Sequence, residues 1–150
     1  MLEPRDIART LCRGVARALA QLGFTSLTEV PLADGRRVDL MALRRNGSLV
    51  IVEIKSSVAD FRADRKWPEY RPWCDQLYFA VPEGFPHELI PEACGLIQAD
   101  GFGAAILREA PAQKLDPARR RALHLRFARL AAGRLQRLLD PGATDPEMLV

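Results

Sequence analysis

Lysine is nearly missing from this chain: among 22 basic residues only Lys55, Lys66 and Lys114 are lysines, the rest arginines. Histidine occurs twice and cysteine three times, with no spacing that suits zinc. Cys12, Cys74 and Cys94 are odd in number and far apart, which argues against a disulfide framework and for reduced thiols in a bacterial-type cytoplasm. No apolar run is long enough to span a bilayer. The opening residues Met1 to Asp6 lack the apolar region of a signal peptide, so a cytoplasmic protein without membrane attachment is expected. Repeats, low-complexity runs and interdomain linkers are also lacking. At 150 residues and 48% hydrophobic, the chain suits one domain over 1–142, with a loosely ordered tail over 143–150.

What is present is charge in unexpected places. The stretch Gly35 to Lys55 reads as two strands and a turn, with Asp39 inside the first strand and Glu53 and Lys55 inside the second. An ionised side chain in a buried strand is costly unless it is paired or holds a metal. The turn contains Asn46-Gly47, a strong hairpin signal. A two-residue loop would send Asp39 and Glu53 to opposite faces, because a one-residue slip flips every side chain. A three-residue loop, Arg45 to Gly47, sets them directly opposite, about 5 Å apart. The three-residue loop is the register expected here. A second such loop, Ala33-Asp34-Gly35, would place Glu29 opposite Asp39, making a row of three acids. Lys55 shares their face, and Arg37 falls opposite Lys55. Acids this close repel one another unless one stays protonated or a cation joins them, and hard oxygen ligands suit Mg²⁺ or Mn²⁺.

Asp39, thirteen intervening residues and then Glu53-Ile54-Lys55 on an apolar strand resemble the PD-(D/E)XK nuclease superfamily, with Val38 standing where the motif has proline. Three longer runs, G-R-R-V-D-L-M-A-L, V-E-I-K-S-S-V-A-D-F-R-A-D-R-K-W-P-E-Y and C-D-Q-L-Y-F-A-V, resemble the bacterial MmcB-like proteins associated with DNA repair. The resemblance implies an α/β, restriction-endonuclease-like three-layer sandwich with a mixed central sheet flanked by helices. It implies a Mg²⁺- or Mn²⁺-dependent deoxyribonuclease in which Asp39 and Glu53 bind the metal, the Ile54 carbonyl adds a ligand, and Lys55 is catalytic. Glu29 is a candidate third acid, from register alone. The plain structural reading is an ion pair from Glu53 to Arg37 or Lys55. The alternative function is a non-catalytic DNA-binding or recruitment module that keeps the fold.

Periodicity places helices over 4–22 and 117–139, broken helix over 58–70, and strands over 27–32, 36–43, 48–55, 77–81, 95–99 and 104–108. Val38, Leu40, Val50, Val52 and Ile54 are expected on one sheet face, with Met41, Leu43, Leu49 and Ile51 on the other. Glu3 and Asp6, at the start of the first helix, are further candidates for the acidic site, with complementing the helix dipole as their plain reading. The stretch 62–73 mixes cations with aromatics, as stacking and phosphate contacts require, and Arg37, Arg65 and Lys66 are expected to touch DNA. Residues 117–139 hold seven basic residues and no acid. Arg119, Arg126, Arg129 and Arg137 line one flank, which reads as a nucleic-acid surface or as a solvated helix face. His87 and His124 read as structural. A kinase is excluded, because its Gly-rich and catalytic-loop motifs are missing. With no separate specificity domain, targeting would fall to a partner protein or a homodimer.

Overall fold

The computed structural model describes residues 2–145; the remainder of the expected tail lies outside the described residues. Helix α1 (Pro4–Gln21) is followed by strands β1 (Thr25–Pro31), β2 (Arg37–Leu43) and β3 (Leu49–Ile54). Helix α2 (Val58–Ala63) and a 3₁₀ segment (Trp67–Trp73) then lead to β4 (Gln76–Val81). Strands β5 (Gly95–Ala99) and β6 (Ala104–Arg108) and the long helix α3 (Pro117–Leu139) complete the chain. The six strands lie side by side in chain order. β1 to β3 form an antiparallel meander, β3, β4 and β5 run parallel, and β6 returns antiparallel.

The local signals explain these boundaries. Asp116 caps α3 by accepting the Arg119 amide, with Pro117 at the first helical position. Ser57 caps α2 through the Asp60 amide. Gly35 and Gly47 sit at φ near +88°, each closing a three-residue hairpin loop of the kind expected.

Both sheet faces are covered, as the nearly continuous apolar composition of β3 and β4 requires. α1 packs Leu11, Val15 and Leu19 against Leu40, Val50, Val52, Ile54 and Ile97. α3 and the 3₁₀ segment pack Leu123, Phe127, Leu130 and Tyr70 against Met41, Ile51, Phe79 and Val81. The molecule is thus an α/β sandwich of helix, mixed sheet and helix. Val38 departs from expectation: with Val30 it packs on the α3 side rather than beside Leu40. Strand alternation breaks between them at the level of Glu29, whose φ is +49°, and Asp39 opposite it. Among the described residues no helix is long and apolar enough to cross a membrane.

Candidate active site

The β2–β3 ladder pairs Leu43 with Leu49 through to Leu40 with Val52. The same register sets Asp39 across from Glu53. There the ladder opens, and the carboxylates take up the amides it releases. The Asp39 amide donates to Glu53 Oε1 at 3.2 Å, and the Ile54 amide donates to Asp39 Oδ2 at 2.8 Å. Two acids from neighbouring strands are therefore locked together by backbone bonds. Each carboxylate keeps further acceptor sites, since it offers about four lone-pair positions.

Glu53 is only 4% exposed. Burial pushes its carboxyl well above the usual range, and the neighbouring Asp39 charge pushes it further, while Lys55 pulls the other way. Lys55 is buried too, with Nζ 2.8 Å from Asp64 Oδ2 at the end of α2. The ion pair of Lys55 is thus made with Asp64, not with Glu53. Burial acts to raise Asp64, but hydrogen bonds from Lys55 and the Lys66 amide outweigh it and hold the carboxyl below its ordinary value. The Tyr70 phenol is pushed up to about 12 by burial first and then by the charges of Glu53, Asp64 and Asp39. It remains a protonated donor at neutral pH.

These groups line an open cleft of about 680 Å³, in which Asp39, Glu53, Lys55, Lys66, Arg37 and Tyr70 converge. Of the residues expected at the site, Arg65 is exposed and does not line this cleft. Glu29 stays outside as well. Its register is as expected, between the pairs Thr28–Leu40 and Val30–Val38. Its left-handed backbone nevertheless leaves the side chain 69% exposed, 3.9 Å from Arg37. It lines an adjoining groove beside α1. Glu3 and Asp6 do not line the cleft, whereas Arg5 does. Among the described residues no three His, Cys, Asp or Glu side chains gather as a metal-holding group. A cation here would rest on Asp39 and Glu53, with the Ile54 carbonyl beside them.

The aromatics of the stretch after the cleft belong to the core. Trp67 stacks edge-on against Phe79 at 5.7 Å, and Trp73 is covered by the Arg119 guanidinium at 4.4 Å. Of the arginines of α3, Arg119, Arg120, Arg134 and Arg137 are similarly committed. Arg119 donates to the Pro72 carbonyl, and Arg120 grips Asp75 with two bonds. Arg134 donates to the Thr28 and Glu29 carbonyls, and Arg137 pairs with Asp145. His87 contacts Gln98 and His124 contacts the Gly47 carbonyl, both structural roles. Asp64 and Tyr70 fall in the stretch 62–73, where the mix of cations and aromatics points to Arg65 and Lys66 instead, and Arg5 lies outside every motif. The signal for Arg5 is its place as the first of four arginines repeating every fourth residue.

The chain matches the family profile described as DNA repair protein MmcB-like over residues 4–142. Among solved structures it resembles the SPO1766 protein of unknown function from Silicibacter pomeroyi at 49% identity. The alignment covers 95% of this chain and 97% of that one, with a TM-score of 0.89. A more distant match is SfsA from Pyrococcus furiosus in complex with Ca²⁺, at 15% identity and a TM-score of 0.34. That match covers 64% of this chain and 58% of the other. No curated protein matches the chain.

Proposed function

The chain belongs to the MmcB-like family of DNA repair proteins, and we propose that it is a metal-dependent nuclease hydrolysing a phosphodiester of DNA. The observation that carries this reading is the buried Glu53 locked against Asp39 at the floor of an open cleft whose rim holds cations. Two carboxylates in such a place call for a positive charge, and Mg²⁺ in particular is commonly held by one or two carboxylates plus waters and substrate phosphates. Asp39, Glu53 and the Ile54 carbonyl would hold Mg²⁺ or Mn²⁺, as in the PD-(D/E)XK nucleases that the Asp39 and Glu53-Ile54-Lys55 pattern resembles. The bound ion supplies charge neutralisation at the phosphate and an acidified water.

The chain's own groups do the rest. Arg37 and Lys66 meet the non-bridging phosphate oxygens at the rim. The Lys55 ammonium, kept in place by Asp64, stabilises charge as it develops at the reacting phosphorus, in a setting where water screens it little. Tyr70 donates its phenol hydrogen to the same region. Glu29, held outside by its backbone, has no part in this set. The buried free cysteines suit a reducing bacterial cytoplasm, and targeting falls to a repair partner or a second copy.

The Lys55–Asp64 pair also favours a second reading, a DNA-binding module without catalysis, since a lysine so engaged is not a ready base. The deciding experiment is cleavage of a panel of labelled DNA structures with Mn²⁺ by wild type and Glu53→Ala. Cleavage by the wild type alone supports the nuclease. Equal cleavage by both means contamination. Silence from both, with no heat of metal binding, overturns the proposal in favour of the module.

A further inference from the structure

The chain's most evident basic element, α3, spends much of its charge internally, as the bonds of Arg119, Arg120, Arg134 and Arg137 show. A second basic row is not spent in this way. Arg5, Arg9, Arg13 and Arg17 repeat at every fourth position of α1, and all four are exposed. Arg13 alone has a fixed bond, from Nε to the Gly101 carbonyl at 3.1 Å. Among the described residues, the side chains of Arg5, Arg9 and Arg17 take no hydrogen bond or ion pair.

The row has a direction. Arg5 lines the acidic cleft and also begins the adjoining groove of about 570 Å³, whose helical wall continues through Arg9 and Arg13. Asp39 and Ile54 belong to both spaces, so the groove opens directly from the acids. Successive arginines lie about 6 Å apart along the helix axis, and the three that line the groove span about 12 Å. The floor between them is small, formed by Ala8, Cys12 and Ala16. The opposite wall, from the sheet, carries Glu29 and Asp39. A duplex brings two phosphate backbones, and one of them would meet that acidic wall. A groove cationic on one side only fits a single backbone.

We propose that Arg5, Arg9 and Arg13 form a phosphate track that holds one unpaired DNA strand as it leaves the acidic cleft along α1. The proposal rests on reading that cleft as a nucleic-acid site, and it deepens that reading by naming the strand's form and path. The contacts are charge contacts to a backbone, so binding is indifferent to sequence and strongly dependent on salt.

The test is equilibrium binding of a fluorescent single-stranded oligodeoxynucleotide to the full chain in EDTA, so that no cleavage is needed for a readout. Arg5→Gln/Arg9→Gln should weaken binding roughly tenfold and flatten the plot of log affinity against log salt by about 1.4, at about 0.7 for each single-strand phosphate no longer neutralised. Arg5→Lys/Arg9→Lys should keep most of the affinity, which separates charge from folding. Arg45→Gln/Arg121→Gln removes the same charge at the far end of the sheet and should change neither affinity nor slope. Unchanged binding in the α1 glutamine pair, or an equal loss in the control pair, overturns the track. Duplex binding that is tighter than single-strand binding and equally sensitive to the α1 pair overturns the single-strand assignment. If no substrate is ever cleaved but the α1 pair still loses binding, the nuclease reading fails and the track stands.

Discussion

Glu53 carries an internal contradiction that makes its substitution informative. Its carboxyl is buried against a second carboxylate, which disfavours ionisation and costs stability, yet the same arrangement is what a cation would need. Glu53→Gln keeps the oxygen that accepts the Asp39 amide and removes the charge. In EDTA at neutral pH the variant is expected to melt higher than wild type by several degrees, from roughly 1–2 kcal/mol at about 2–4 °C per kcal/mol for a domain of this size. Saturating Mg²⁺ should reverse the order. At a hundredfold excess over its dissociation constant, a ligand adds about 2.7 kcal/mol to the state that binds it. Calorimetry of both proteins with and without Mg²⁺ checks this, and a variant that melts lower than wild type in EDTA would remove the argument for a buried charge in need of a partner.

Two joints between elements govern the fold. At one, Asp75 accepts two bonds from Arg120 on α3, at 2.6 and 2.8 Å, and one from the Leu49 amide at the start of β3. Arg120 and His124 both reach the Gly47 carbonyl in the β2–β3 turn. This joint clamps the final helix onto the hairpin that presents the acids. Burial acts to raise the Asp75 carboxyl, but the Arg120 bonds, the Leu49 amide and the Arg120 charge outweigh it and lower its pKa. A carboxylate depressed by folding adds stability above its unfolded value, about 3.9, and loses that contribution as pH falls through the folded value. Asp75→Asn should cost roughly 2–3 kcal/mol at pH 7, less than a fully buried pair because Arg120 is partly exposed. The difference from wild type should shrink steadily below about pH 4 in urea melts taken across pH. At the other joint, a Cβ on Gly14 of α1 would lie 1.8 Å from the Asp100 carbonyl and 2.6 Å from that of Gly103. The helix rests directly on the β5–β6 turn. Gly14→Ala, which would stabilise an isolated helix, is expected instead to lower stability by at least 1–3 kcal/mol, as overpacking does. A neutral or stabilising result in the same urea melts would refute the contact.

The molecule as a whole is one sheet with a core on each face, and its thiols report on both. Cys12 lies on the α1 side, while Cys74 and Cys94 lie on the α3 side. Burial raises all three: Cys12 to about 11, helped by the charges of Asp39, Glu29 and Glu53; Cys74 to about 12; and Cys94 to about 11. Native thiols should resist a thiol reagent at pH 8, because the thiolate is the reactive form. All three should become reactive in a single transition in denaturant if the two cores depend on the shared sheet. Stepwise release, Cys12 apart from the other pair, would show that α1 detaches on its own.

How much could be read in advance depended on how local each cause was. The Asn46-Gly47 and Asp34-Gly35 turns determine their own loop lengths, and loop length sets the register, so the meeting of Asp39 with Glu53 was legible from the sequence. The apolar periods of α1 and α3 were legible for the same reason. Glu29 was placed correctly in register but not in space, because the turn of its backbone to φ +49° leaves no mark in residue type. The fate of the arginines was the least legible. Whether a guanidinium faces solvent or a carbonyl depends on segments far along the chain: Pro72 and Asp75 for α3, Gly101 for α1. The sequence by itself determined which strands form, how β1, β2 and β3 align and which two carboxylates oppose each other, since these follow from contacts across short loops. Only the tertiary structure decided that Lys55 answers to Asp64, that Arg119, Arg120, Arg134 and Arg137 of α3 are spent on the fold and that the arginines of α1 stay exposed, because those pairings join groups that meet only when the layers close.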